Sequence, residues 1–305
     1  MIWFLFLISW ANAQEIRVQM RDQSIQRWPL ETYVAGVVAA EVPRSWPLET
    51  LKAQAVASRS YAWVKILENR HLPYDVKATI QDQVFHGQPP EPQHPVWRAL
   101  SETKGRILFE GNRPLLAYFH ADCGGATDSI ELWQNQNPRV VAVDRGCPRT
   151  PAAQWQYSLT DQDHRRISQK VLGSELRLEG LSVRERWASG RIKSLQLRFS
   201  DGREALVPAM KFREWIGPTR IRSTRFSVAL NGNLAGQGFG HGVGMCQWGS
   251  WDLGRRGASY LEILRHYYPQ GRVAPLNPSP SWLWARAETK TRIGLSEENR
   301  LKAIR

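Results

Sequence analysis

Glu41 is the residue whose type and position say most about chemistry. It recurs with Leu30, Val34 and Val37 at the spacing of one helical face, so a carboxyl group sits on a stripe that should be buried. Partial desolvation disfavours the carboxylate, and the last turn of a helix carries the negative end of the macrodipole. Both effects favour a carboxylic acid that is still protonated near neutral pH, which is what a general acid requires. The plainer alternative is a glutamate at a helix end that reaches past the core into water. A second constellation is the glycine-dense run from Gly240 to Gly249. Its glycines permit close backbone approach to a ligand, and His241 and Gln247 can hydrogen-bond a polar ligand or Glu41. It equally suits a tight structural loop. It is not a phosphate loop, because the Lys and Ser/Thr of that motif are missing.

The third constellation is His120, Cys123 and Cys147. A His-x-x-Cys with a distant Cys is a zinc-type set that lacks its fourth ligand, whereas two sulfurs in an exported protein pair more often as a disulfide. A Cys123–Cys147 disulfide with Cys246 unpaired and no cofactor is the first expectation, and zinc on His120, Cys123 and Cys147 is the alternative. No Gly-x-Ser-x-Gly elbow and no His-Glu-x-x-His occurs, which weighs against a serine hydrolase and a zinc peptidase.

These residues need elements to position them. Pro29 to Val42 reads as a helix stopped by Pro43, and a second helix follows with Ser45 as N-cap and Pro47 in its first turn. Its apolar stripe is Leu48, Leu51, Ala55, Ala62 and Ile66, and its many Ala and Ser residues permit close packing. From about Tyr74 the chain turns to short strands: Val76–Ile80, Arg106–Phe109, Leu115–Phe119, Val140–Asp144, Ile192–Phe199 and Ala205–Val207, with a hairpin turn at Asp201-Gly202. A last helix spans Tyr260–Tyr267 and ends before Pro269. The result is an α+β fold with early and late helices around β-rich central segments.

Composition sets the setting. The 305 residues, 42% hydrophobic and 23% charged, are ordinary for a folded domain. A net charge of +13 calls for an acidic partner or surface. The basic residues are scattered and no zinc-finger spacing or basic arm occurs, so nucleic acid is not expected. Ile2–Trp10 is an apolar run too short to span a bilayer, and Ala11-Asn12-Ala13 has the form of a signal-peptidase site, although no Lys or Arg precedes the run. The expected organisation is a signal peptide at 1–13, a domain at 14–276 whose stretch from about 150 to 230 is β-rich, and a polar basic tail at 277–305. The expected location is outside the cytoplasm, in the periplasm or cell wall, with no stable membrane span.

Three ordered blocks carry a resemblance. Val38-Ala39-Ala40-Glu41-Val42-Pro43 runs on through Trp46-Pro47-Leu48-Glu49-Thr50-Leu51-Lys52-Ala53-Gln54-Ala55-Val56-Ala57-Ser58-Arg59-Ser60-Tyr61-Ala62. Tyr118-Phe119-His120-Ala121-Asp122-Cys123-Gly124-Gly125-Ala126-Thr127 precedes Trp133. Gly240-His241-Gly242-Val243-Gly244-Met245-Cys246-Gln247-Trp248-Gly249 leads on to Gly257 and then to Tyr267-Tyr268-Pro269. Together they resemble the signatures of the SpoIID/LytB family, with Cys246 and Trp248 where that family often has Ser and Tyr. The resemblance implies a single large domain acting as a lytic transglycosylase on the bond between N-acetylmuramic acid and N-acetylglucosamine in peptidoglycan. It makes Glu41 the acid/base, and it assigns Tyr61, Thr127, Tyr267, His241 and Gln247 to the substrate. It also brings a rival, a non-catalytic enhancer of a cell-wall amidase. A hydrolytic muramidase would need a second carboxylate, for which Asp128 and Glu131 are the candidates.

Overall fold

A computed structural model describes residues 14–133, 136, 138–144, 153–229 and 232–276. The expected signal peptide, the tail and Cys147 lie outside the described residues. Within these the chain is a mixed α+β fold with seven α-helices: α1 (Leu30–Glu41), α2 (Leu48–Glu68), α3 (Val96–Glu102), α4 (Asp161–Leu172), α5 (Ala209–Ile216), α6 (Gln247–Arg255) and α7 (Tyr260–Tyr267). The chain gathers into two compact units. One holds the residues up to Tyr118 and those from Ser250, and the other runs from Phe119 to Gly249.

The first unit is built around α2. Helices α1, α3 and α7 pack on it, together with the strands Glu15–Gln19, Val76–Lys77 and Arg106–Glu110. Because neighbours surround it, burial is not confined to the expected stripe; Thr50, Gln54, Ser58, Arg59 and Ser60 are buried as well. Each polar group there must find a partner inside the protein. Arg59 grips Glu31 with two bonds of 2.7 Å and donates to the carbonyls of Thr103 and Arg106. Ser60 donates to Val56 O and accepts the Leu108 N–H, tying α2 to a strand. The run of Ala and Ser is thus the composition of a helix approached from all sides. Two strand ladders close this unit, Ile25–Pro29 beside Glu15–Gln19 beside Val76–Lys77, and Gly271–Pro275 beside Arg106–Glu110 beside Arg113–Pro114.

The second unit holds an antiparallel sheet of Leu178–Arg186, Ile192–Phe199 and Glu204–Pro208. It also holds a smaller antiparallel sheet in the order Phe226–Val228, Leu234–Gln237, Gln154–Tyr157. Ile167 of α4, Phe212 and Ile216 of α5, and Leu195, Leu197, Phe199 and Trp155 from the sheets form its core. Two short ribbons complete it. Phe119–His120 runs parallel to Met245–Cys246, and Ala126–Asp128 runs antiparallel to Val140–Val143.

Several sequence expectations shift. The N-cap of α2 is Pro47, not Ser45, since the Pro47 backbone is extended (φ −50°, ψ 140°) and makes no side-chain cap. The strand expected over Val76–Ile80 stops at Lys77. That over Leu115–Phe119 is replaced by the pair Phe119–His120. By contrast Ile192–Phe199 and Tyr260–Tyr267 keep their expected bounds.

Candidate active site

Glu41 closes α1, half-buried, after a helix whose Leu30, Tyr33, Val34, Val37 and Val38 are buried. Its Oε1 accepts the N–H of Val84 at 3.0 Å. Val84 belongs to the segment Asp82–Phe85, which is anchored at each residue. Asp82 takes the Tyr61 hydroxyl at 2.6 Å and the Lys77 N–H at 2.9 Å, with Lys65 Nζ 4.0 Å away. Gln83 accepts from the Tyr33 hydroxyl at 3.1 Å and donates to Ser58 O. The Phe85 ring meets Tyr33 and Trp28 and lies over Gly36, where a Cβ would come closer than 3.0 Å to two of its carbons. The backbone group that holds Glu41 is therefore fixed from α1 and α2 alike. Burial, and then the Asp82 charge, push the Tyr61 hydroxyl well above its ordinary pKa. Burial does the same to Tyr33, aided by Asp82 and Glu41. Both phenols stay neutral donors at any physiological pH.

The residues assigned to substrate fall in both units: Glu41, Tyr61 and Tyr267 in the first, Thr127, His241 and Gln247 in the second. Tyr61 is buried, its hydroxyl is spent on Asp82, and its ring meets Tyr118 edge-on. Tyr267 is buried beside His266. Thr127 and Gln247 are buried as well.

His241 braces its own loop. Its Nδ1 accepts the Val243 N–H at 3.1 Å, so the ring proton sits on Nε2 and is donated to Phe119 O at 3.0 Å. Burial, followed by the charges of His120, Arg213 and Arg191, holds its pKa well below that of a free histidine. The ring is neutral, with an edge against Trp133. Gly242 has φ +82°, and a side chain there would run into the Arg191 guanidinium. That glycine lets the loop lie on a fully buried arginine, which donates to Cys123 O at 2.7 Å and pairs with Asp128 at 3.4 Å.

The two candidates for a second carboxylate sit in different settings, Asp128 buried and Glu131 half-buried. Asp128 is 1% exposed, and burial pushes its carboxyl up against the opposing effects of Ser189 and Arg191. Glu131 is held below the usual carboxylate range by the Ser129 hydroxyl. His120 turns Nδ1 to Val243 O at 3.2 Å. The groups that sequence reasoning missed are Asp82 and the Val84 amide. Nothing in their local sequence marks them, because their importance comes from what folds against α1 and α2.

What the geometry defines is an α+β protein with one carboxylate clamped at a helix end by a backbone amide, and a braced glycine loop in its other unit. Residues 19–109, which contain Glu41 and the whole clamp, match the SpoIID family, described as stage II sporulation protein. The chain is thus similar to the SpoIID family over that segment, and over most of its length to proteins named stage II sporulation protein D and amidase enhancer. It is 34% identical over 246 residues to an uncharacterized protein of Brachyspira hyodysenteriae, covering 78% of this chain and 65% of that one. It is 27% identical over 277 residues to the stage II sporulation protein D of Bacillus subtilis, covering 83% and 76% of the two chains. It is 28% identical over 289 residues to the amidase enhancer of Bacillus subtilis, covering 77% of this chain and 39% of that protein. No helix among the described residues is long and apolar enough to cross a membrane.

Proposed function

We propose that this chain is a cell-wall enzyme that cleaves peptidoglycan glycan strands as a lytic transglycosylase, with Glu41 as its acid and base. The observation that carries the reading is Glu41 itself: half-buried at the end of α1, held by the Val84 amide, and inside the segment that matches the family. The Val84 amide fixes the position of this carboxyl group, which supports the reading because a general acid must be held within reach of the oxygen it protonates.

One carboxyl group is enough for this reaction. Glu41 gives its proton to the oxygen bridging the two sugars, and the bond from that oxygen to the anomeric carbon breaks. The 6-hydroxyl oxygen of the muramic acid then bonds to the anomeric carbon and its proton returns to Glu41. A 1,6-anhydro end forms, no water is consumed, and the enzyme regains its starting state. The attacking hydroxyl belongs to the same sugar, so it acts with the advantage of an intramolecular nucleophile. The burial of Asp128 against Arg191 supports this one-carboxylate scheme over a hydrolytic pair. A net charge of +13 suits a wall rich in lactyl and stem-peptide carboxylates.

A second reading draws on the relative named amidase enhancer. Here the chain binds peptidoglycan and stimulates a separate amidase without cleaving glycan. Incubation of the purified chain with isolated glycan strands, followed by mass spectrometry, separates the two. Cleaved strands support the enzyme, whereas intact strands together with faster amidase turnover support the enhancer. The proposed setting is outside the cytoplasm, as the expected signal peptide implies.

A further inference from the structure

The second unit contains a cleft that the mechanism leaves unused. Its walls are the end of the strand Leu178–Arg186, the turn at Gly190, the sheet-edge strand Phe226–Val228 and its neighbour Leu234–Gln237, and it encloses about 390 Å³. That volume lies in the range of small-ligand sites, about 300–1,000 Å³. Two guanidinium groups, Arg186 and Arg225, line it. We propose that this cleft binds the terminal carboxylate of a short peptide, with Arg225 as the group that grips it.

Four observations carry this. The first is charge. Neither Arg186 nor Arg225 forms an ion pair with a carboxylate among the described residues. The acids near them are engaged elsewhere: Glu185 pairs with Lys193 at 2.9 Å, and Asp128, buried, pairs with Arg191 at 3.4 Å. Desolvation, followed by the charge of Arg225, lowers the pKa of Arg186. The two cations repel one another, and a bound anion would relieve both. The second is donor geometry. Arg186 spends both terminal nitrogens on the carbonyls of Gly190 and Phe226, at 2.8 Å each. Arg225 spends only Nη1, on Ser189 O at 2.6 Å. Its Nε–H and Nη2–H, parallel along one side of the guanidinium, take no partner among the described residues. The cleft thus offers one planar edge, which suits the two oxygens of a carboxylate better than the three of a phosphate. The third is rigidity. Cβ positions built at Gly125 and Gly190 lie 3.7–3.8 Å and 3.6–3.8 Å from the central carbon and both terminal nitrogens of Arg225. Both turns, at φ +122° and +83°, therefore lie against the flat of the guanidinium and leave its edge to a ligand. The fourth is the rest of the lining. The Gln237 carboxamide makes no bond among the described residues, and the Ser227 hydroxyl donates to Ala235 O at 3.3 Å and can still accept. A carboxamide presents a donor and an acceptor together, the pair that a peptide group needs.

The cleft lies wholly within the second unit and takes no part in the glycan reaction, so either reading can fail while the other stands. The test is calorimetric titration of the full chain at low salt with three probes: acetyl-Ala-Ala with a free carboxylate, the same peptide with a C-terminal amide, and inorganic phosphate. The free acid should bind. The amide and phosphate should bind at least about 10-fold more weakly, because the charge-assisted pair is lost in one and misfitted in the other. Arg225→Lys keeps the charge but not the planar edge, and should weaken binding of the acid at least about 10-fold. Arg225 also braces the Ser189 carbonyl, so Ala235→Glu, at an exposed position on the wall, serves as a second variant. Its carboxylate competes for Arg225 and should weaken the acid in the same direction. No binding of the acid, an amide or phosphate that binds as tightly, or unchanged binding in both variants overturns the proposal.

Discussion

Gly36 offers a stringent test of how Glu41 is held. Its Cα faces the Phe85 ring, and a Cβ built there lies closer than 3.0 Å to two ring carbons and 3.1 Å from Gln88 O. Gly36→Ala must therefore displace Phe85, and overpacking of this kind costs about 1–3 kcal/mol. Helix propensity acts the other way, because Ala is favoured over Gly in a helix interior by about 1 kcal/mol. The two effects separate in a double-mutant cycle with Phe85→Ala. That truncation alone should cost about 3–5 kcal/mol. In its background the ring is gone, and Gly36→Ala should become neutral to stabilising by up to about 1 kcal/mol, the Gln88 carbonyl limiting the gain. Urea denaturation of all four proteins gives the coupling, which should reach about 1–3 kcal/mol. Activity on glycan should fall in Gly36→Ala by more than its unfolded fraction explains, because Phe85 adjoins the Val84 amide on Glu41. If Gly36→Ala is equally destabilising with and without the Phe85 ring, the clamp has been assigned to the wrong contact.

Two further outcomes follow from buried charges. Arg59→Met strands the Glu31 carboxylate and removes the donor from the carbonyls of Thr103 and Arg106, so it should cost about 3–5 kcal/mol in chemical denaturation, with partial recovery on adding Glu31→Gln. Asp163 is fully buried at the start of α4; burial pushes its carboxyl up, but bonds from Tyr157 and Thr160 prevail and its pKa is lowered. A carboxylate lowered in the folded state contributes stability above its unfolded pKa of about 3.9 and loses it as pH falls through the folded value. Asp163→Asn should thus cost about 1–2 kcal/mol at pH 7, and the gap to wild type should close below about pH 4 in pH-dependent melts.

The parts of this fold that were legible in sequence are those with a local cause. Helix α1 showed its apolar spacing and its Pro43 stop, and α7 carried Ser259 and Glu262, which form a capping box. Helix α4 had the same kind of signal, Thr160 with Asp163, yet was missed because its apolar face is thin, with Ile167 its one fully buried hydrophobic residue. The start of α6 reads as loop in sequence because Gly249 and Gly254 dilute its helical pattern, although Cys246 accepts the Gly249 N–H where a serine cap would. Glu41 was found by its face and its neighbours in sequence. Asp82 and Val84 were not, since they reach Tyr61 and Glu41 across 21 and 43 residues. The glycine loop was recognised as special, but its physical reason is Arg191 beneath Gly242, a contact no spacing reveals.

The central claim is that a single carboxyl group, Glu41, both donates and retrieves the proton. The most direct measurement is the end-group chemistry of glycan strands digested by wild type and by Glu41→Gln, read by mass spectrometry over a time course. Wild type should release products that end in 1,6-anhydro-muramic acid. Glu41→Gln, which keeps the size and polarity of the side chain, should retain the fold and lose at least about 100-fold in rate. Products with reducing ends, or a glutamine variant that keeps most of the wild-type rate, would contradict the account.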